Sequence, residues 1–397
     1  VTYHQKLKKN ITLYYISSFF AGLIFIIPVW VAFERRFLSL EQMALIEVFA
    51  SSFIVGLELP TGALADLIGR RLTVAIGFFT RVVGDVLAAF SFNAASLISG
   101  YILFSLGAVF ISGSDEALIY DSLKELNRED DFKKIKSKQS LIFQLGIVIA
   151  TLLGGYLYQY WEGLPYFALG VAELIAAICY VFMIEPKTDS KQFTLRSYLK
   201  QTKEGFVEIT KNSYIKLLSI FYFLVGGITW SSVYFFNQIY AKDLGFTEIE
   251  MGWLFGIIRL INSIIIFRLV SFSNLVTKKR AFILFPLILL IAYLPGFAAS
   301  KIVAIGLFML ITFSSTARHV VLNQYTNVEF SSKNRATALS TLNMFVQLFF
   351  IAILIIGGKV MSIWSPKVMQ SVLGILVLVF VLPLGIKLAR GERYSQQ

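Results

Sequence analysis

Twelve windows of roughly 20 apolar residues recur along the chain, near 11–33, 42–63, 72–92, 96–120, 139–160, 164–185, 215–237, 249–270, 281–299, 302–323, 338–360 and 368–388. Each is long enough to cross the hydrocarbon core of a bilayer, where a backbone must satisfy its own hydrogen bonds and an isolated segment does so as a helix. The chain is therefore expected to be an all-α membrane protein with twelve transmembrane helices. With 57% hydrophobic and 15% charged residues, it carries more apolar surface than a water-soluble fold of 397 residues could hide. Its 37 Phe and 18 Tyr suit lipid-facing helices and interfacial belts.

The net charge of +12 is spread in short blocks between the spans, the pattern of topology signals rather than of a nucleic-acid groove. Most Lys and Arg fall on one side: Arg70 and Arg71; Lys124, Arg128, Lys133, Lys134, Lys136 and Lys138; the 187–214 segment; Lys278, Lys279 and Arg280; Lys333 and Arg335; Lys387, Arg390 and Arg393. The other side holds Arg35, Arg36, Lys242, Lys301, Lys359 and Lys367. The positive-inside rule then puts both termini in the cytoplasm. Lys6, Lys8 and Lys9 precede an apolar run with no small-residue cleavage site, which reads as a retained first span rather than a signal peptide. The single cysteine, Cys179, lies in an apolar run, so neither a disulfide framework nor a Cys-based metal site is expected.

The sequence repeats itself weakly. A shift of about 208 positions lays Gly62–Arg71 on Val270–Lys279, with Asp66 on Asn274 and Arg70 on Lys278. A shift of about 202 sets Asp121 on Asn323 and Glu116 on Arg318. Two six-helix bundles, 1–186 and 215–397, account for both offsets as parallel repeats about an axis along the membrane normal. The joining segment 187–214 mixes Tyr198, Leu199, Phe206, Val207 and Ile209 with Lys and Glu, as an amphipathic helix on the inner membrane face does.

Between the second and third spans stands Gly62-Ala63-Leu64-Ala65-Asp66-Leu67-Ile68-Gly69-Arg70-Arg71. Gly62 and Gly69 permit close approach and a tight reversal, and Asp66 suits the positive end of a neighbouring helix. This loop resembles the cytoplasmic signature of the major facilitator superfamily of transporters, with Leu67 where a basic residue is common. The resemblance implies that Asp66 meets the start of span eleven near Arg335, that Arg70 pairs with an acid at the end of span four, where Asp121 stands, and that these contacts latch two halves together. Alternatively, Arg70 and Arg71 act only as topology determinants. Ser112–Leu123, Glu58-Leu59-Pro60-Thr61-Gly62 and Asn334–Ser340 resemble a bacterial drug-exporter-like branch of that superfamily, without specifying a substrate. Gly146, Gly154 and Gly155 on span five resemble a glycine motif of proton-driven exporters that lacks its proline here; glycine is also a common packing residue in membranes.

An ion in hydrocarbon is costly enough to face a cavity or a partner. Within the spans these residues are Glu58, Arg81, Asp85, Asp115, Glu116, Glu173, Arg259, Arg318 and His319. Arg81 and Asp85 share a helical face as either a self-neutralising pair or a proton relay. The resemblance implies that spans one, four, seven and ten line a central cavity. Glu116 would then face Arg318, with His319 alongside, as an inner gate that protons operate or as a static tie. Arg259 either binds an anionic substrate group or counters Asp115. Trp230, Tyr234, Asn237 and Gln238, with Tyr14 and Tyr15, offer aromatic and amide contacts to a ligand or form an interfacial belt.

These residues lead to an expected secondary active transporter of the bacterial inner membrane, working by alternating access as a proton-coupled exporter of a small organic molecule or drug. The alternatives are a proton symporter or facilitator importing a nutrient, and a membrane-bound lipid-modifying enzyme. Against the last, the chain has no HExxH, GxSxG or P-loop. The expected partners are a small-molecule substrate, protons and the lipid bilayer, with no nucleic acid and a monomeric state. No cofactor is expected beyond the proton gradient.

Overall fold

The computed structural model describes residues 2–187, 195–271, 277–331 and 334–391, with side chains described except at 54–67, 195–199, 266–271, 319–320 and 336. Among the described residues there is no strand. Two compact units emerge: the first comprises Val1–Leu38, Ile46–Leu195 and Glu248–Gly256, the second Ser39–Leu45, Arg196–Thr247 and Ile257–Gln397.

In the first unit α1 (Tyr3–Ala21) starts from a capping box in which Thr2 and Gln5 exchange side-chain-to-backbone hydrogen bonds. Span one then breaks. Residues 22–29 run through tight turns, in which Leu23 donates to Phe20 O at 3.0 Å and Ile24 to Gly22 O at 2.8 Å, before α2 (Trp30–Glu34) resumes. Local turns keep those donors satisfied, and Pro28 has no N–H to lose. Next come α3 (Leu40–Ile68), α4 (Arg70–Ala89) and α5 (Ala94–Ile111).

Close packing of α4 on α5 depends on two facing glycine pairs. A Cβ on Gly84 would lie 2.6 Å from Gly100 O, and one on Gly107 would strike Gly77 O. Only small residues let two membrane helices approach this closely. Span four also breaks: Gly113, at φ +73°, caps α6 (Ser114–Glu125) as a separate helix. α7 (Phe132–Tyr160) and α8 (Leu164–Phe182) complete the unit, whose core includes Tyr14, Phe78, Leu118, Ile135, Ala176 and Tyr180.

The second unit opens with α9 (Leu195–Thr210) and α10 (Ser213–Ser231). A π-turn at Ser232–Phe236 leads into α11 (Asn237–Asp243), followed by α12 (Glu248–Ser271), of which Glu248–Gly256 counts with the first unit, α13 (Lys278–Tyr293) and α14 (Lys301–Ala317). A second π-turn, Arg318–Leu322, joins α15 (Asn323–Glu329), and α16 (Arg335–Ile363) and α17 (Pro366–Leu376) follow. The π-turn Val377–Val381 precedes α18 (Leu382–Gly391).

Among the described residues, 8 helices are long and apolar enough to cross a membrane. The other four expected spans differ for identifiable reasons. Span one is broken at 22–29, the α14 part of span ten has 17 residues before its π-turn, and α3 and α12 contain undescribed side chains. The expected continuous helices of spans one, four, seven and ten are thus all interrupted, by turns, by Gly113 and by two π-turns; span twelve carries a π-turn as well. Irregular backbone of this kind often marks functional positions in membrane helices.

Candidate functional site

The most charged buried place in the first unit lies between α4 and α8. Arg81 and Asp85 stand one turn apart on α4, and Arg81 forms an ion pair with Glu173 of α8. The Arg81 guanidinium also lies 4.1 Å from the centroid of the Phe104 ring. Asp85 is 3% and Glu173 0% exposed. Apart from Arg81, no donor among the described residues reaches Asp85 Oδ2 or either Glu173 oxygen. Gly170 makes room for this arrangement on α8, because a Cβ there would lie 3.3 Å from Asp85 Cβ.

A second cluster surrounds the start of α6. The break at Gly113 puts Asp115 and Glu116 in the first turn of a helix, where free N–H groups favour negative charge. Asp115 Oδ1 accepts from Glu116 N at 2.7 Å. Glu116 finds its cation within its own unit: Lys136 Nζ lies 2.7 Å from Glu116 Oε1 and donates to the Tyr14 hydroxyl at 3.0 Å. Lys136, which the sequence reading treated only as a topology signal, thus takes the place expected of Arg318.

The described end of the signature loop, Gly69–Arg71, is tied to the first unit. Gly69 has φ +90° and begins α4, whose first two N–H groups, on Arg70 and Arg71, each donate to the Glu185 carboxylate at 2.8 Å. Arg70 pairs with Asp121, and Arg71 donates to Met183 O at 3.0 Å. Asn10 adds a bond to Ser122 Oγ at 3.0 Å and exchanges two with Ile184. Glu185 was missed in the sequence; its one signal is an acid at the very end of span six. Gly62, Asp66 and Glu58 fall where side chains lie outside the described residues.

In the second unit Arg318 is buried with its guanidinium 5.2 Å from the centroid of the Tyr222 ring, and Gly226, one turn on, leaves space for it. The side chain of His319 lies outside the described residues. Trp230 and Tyr234 stack with centroids 5.6 Å apart at 17°, both exposed. Tyr234 lies within the π-turn, and Asn237 and Gln238, which follow it, are buried; Gln238 Nε2 donates to Val233 O at 3.2 Å. Arg259 is half-buried on α12. Among the described residues no group of three or more His, Cys, Asp and Glu could hold a metal ion.

Helices of membrane-spanning length and apolarity define a multi-pass membrane protein. The chain belongs to the Major Facilitator Superfamily, whose pattern matches residues 11–348. It is similar to the uncharacterized MFS-type transporter YxaM of Bacillus subtilis (strain 168), at 26% identity over 58% of each chain. It is similar also to the bicyclomycin resistance protein homolog of Haemophilus influenzae (strain ATCC 51907 / DSM 11121 / KW20 / Rd), at 25% identity over 62% of this chain and 61% of that one. These matches span about three fifths of each relative's length. The fold matches the crystal structure of the nucleoside transporter NupG with a TM-score of 0.75 at 13% identity, covering 96% of this chain and 98% of that one.

Proposed function

We propose that the protein is a proton-coupled exporter of a small organic molecule, working by alternating access in a bacterial inner membrane with both termini in the cytoplasm. One observation carries this reading: two acids and one base are buried together at Arg81, Asp85 and Glu173. A single guanidinium neutralises only one of two neighbouring buried carboxylates, which favours a proton on the other. A buried pair with one exchangeable proton is suited to carrying it across a membrane. The repeat sharpens the point, since the shift of about 208 lays Arg81 on Leu289 and Asp85 on Tyr293. Tyr293 spends its hydroxyl on Ser232 Oγ at 2.7 Å. This asymmetry supports proton binding in the first unit.

The similarity to a bicyclomycin resistance homolog supports export, and the distribution of Lys and Arg supports the orientation. The exposed Trp230 and Tyr234 faces suit a flat or cationic molecule. Ethidium has that chemistry and serves as the probe. In proteoliposomes, Asp85→Asn and Glu173→Gln should each lose the acceleration of ethidium flux by an imposed pH gradient while retaining ethidium counterflow, which needs no net proton movement. Wild-type gradient dependence in both variants would remove the acid pair from the mechanism.

A further inference from the structure

The second unit buries an amide that no motif of the sequence points to. Gln370, on the second turn of α17, is 1% exposed, yet among the described residues neither its Nε2 nor its Oε1 has a hydrogen-bond partner. Asn237, the first residue of α11, is equally buried, and its Oδ1 accepts no hydrogen bond from the described residues. A buried amide within a membrane span has no bulk water to turn to, so leaving it unsatisfied is costly.

Contacts on either side bring the two amides to one junction, where α11 packs against α17. Phe236 and Met369, the residues immediately before them, close on the same small residue. A Cβ on Gly357 of α16 would strike Phe236 Cζ and lie 3.0 Å from Met369 Cε. One turn after Asn237, the Tyr240 hydroxyl donates at 2.7 Å to Gly296 O, in the tight turn Leu294–Phe297 that follows α13. A Cβ on Gly296 would strike Gln370 Cβ. The polar groups around this turn are already committed. Tyr240 spends its hydroxyl on Gly296, while Ser371 Oγ donates to Leu294 O at 3.3 Å and accepts from Phe297 N at 3.1 Å. Nor do the two amides bond one another, since Asn237 Oδ1 and Gln370 Nε2 would then satisfy each other.

We propose that Asn237 and Gln370 hold buried water between α11 and α17. The set offers one donor group, Gln370 Nε2, and two acceptors, Asn237 Oδ1 and Gln370 Oε1. A metal ion would leave the nitrogen without an acceptor, and an anion would leave both carbonyl oxygens without a donor. Water serves all three, donating to the two oxygens and accepting from the nitrogen, and about three hydrogen bonds is the usual complement of a buried water. The site directly follows the π-turn Ser232–Phe236, so span seven is tied to span twelve, just past its interruption, through an exchangeable partner rather than a fixed side chain.

Electron cryo-microscopy of the full-length protein, at a resolution that shows ordered water, tests the site together with thermal unfolding in detergent. Water density should stand within about 3.2 Å of Asn237 Oδ1 and of the Gln370 amide. Gln370→Met keeps the length of the side chain, removes its amide and strands Asn237 Oδ1, so it should lower the unfolding midpoint by about 2–4 °C. Asn237→Leu should do the same. The double variant should lose less than the two single losses together, because both residues serve the same water. A midpoint that stays or rises in Gln370→Met would show a dry amide whose removal relieves the fold, and would overturn the proposal. Losses that add in full, or a junction without density in a map that shows water elsewhere, would overturn it as well. The map and Asn237→Leu keep the test decisive should Gln370→Met not fold.

Discussion

Gly69 holds φ +90° and ψ 147° where α3 turns into α4, and a Cβ there would lie 3.1 Å from the Glu185 carboxylate. An L side chain rarely adopts that backbone conformation, so Gly69→Ala should cost about 1–3 kcal/mol. Glu185→Gln keeps the shape of the cap but removes its charge from the N-terminus of α4, a loss of about 0.3–2 kcal/mol. Both variants should unfold at lower temperature than the wild type in detergent, and unchanged midpoints would show that the cap does not stabilise the fold. The loop motif announces Gly69 and Arg70, but nothing in it points to Glu185, 115 positions from Arg70. Periodicity gives the face on which a residue stands and leaves its partner open. Lys136 and Tyr222 were passed over for the same reason.

Among the elements, α9 was legible as a helix from its amphipathic pattern, while its mooring was not. Glu208 accepts from Ser331 N at 2.8 Å, from Ser331 Oγ at 3.1 Å and from Lys211 Nζ at 2.7 Å. Lys211 also donates to Glu329 O at 2.8 Å, and Glu329 takes Lys278 Nζ at 2.5 Å. Burial pushes the Glu208 carboxyl up, but the Lys211 ammonium and the two Ser331 donors outweigh it and hold the group down to about 2. Its folded-state value lies below the unfolded one, so this contribution to stability is full above about 4.3, the ordinary Glu value, and is lost as pH falls toward the folded value. Glu208→Gln should therefore weaken the protein near neutral pH and flatten its loss of stability over that acid range, as read by thermal unfolding at a series of pH values. A pH profile parallel to the wild type would contradict this role. Interruptions within spans were only partly readable. Ser112-Gly113-Ser114 hints at the break in span four, whereas the apolar residues around 22–29 and in the π-turns look identical to continuous helix when hydropathy alone is counted.

For the whole molecule, the fold class was legible because lipid admits so few backbone structures that twelve apolar windows nearly determine it. The chemistry is less evenly distributed than the repeat. Counterparts of Arg81 and Asp85 in the second unit are Leu289 and Tyr293, so the buried cluster of two acids and one base belongs to the first. The first unit carries the proton on this account, and the second presents the Trp230–Tyr234 faces and the Arg318 cation. Intramembrane acids were visible from the sequence, but Asp115 and Glu116 drew attention over Glu173 because their partners were unknown. Folding gives Glu116 a lysine and puts both Asp115 and Glu116 in the first turn of a helix, while it leaves Asp85 and Glu173 with a single cation between them.

The most direct measurement imposes a pH gradient as the sole energy source on proteoliposomes holding the wild-type protein in one orientation, and follows net ethidium movement. The account predicts that ethidium moves uphill, opposite to the flow of protons, and that reversing the gradient reverses the movement. Ethidium flux that only runs down its own concentration gradient, at the same rate with the pH gradient present or collapsed, would contradict it.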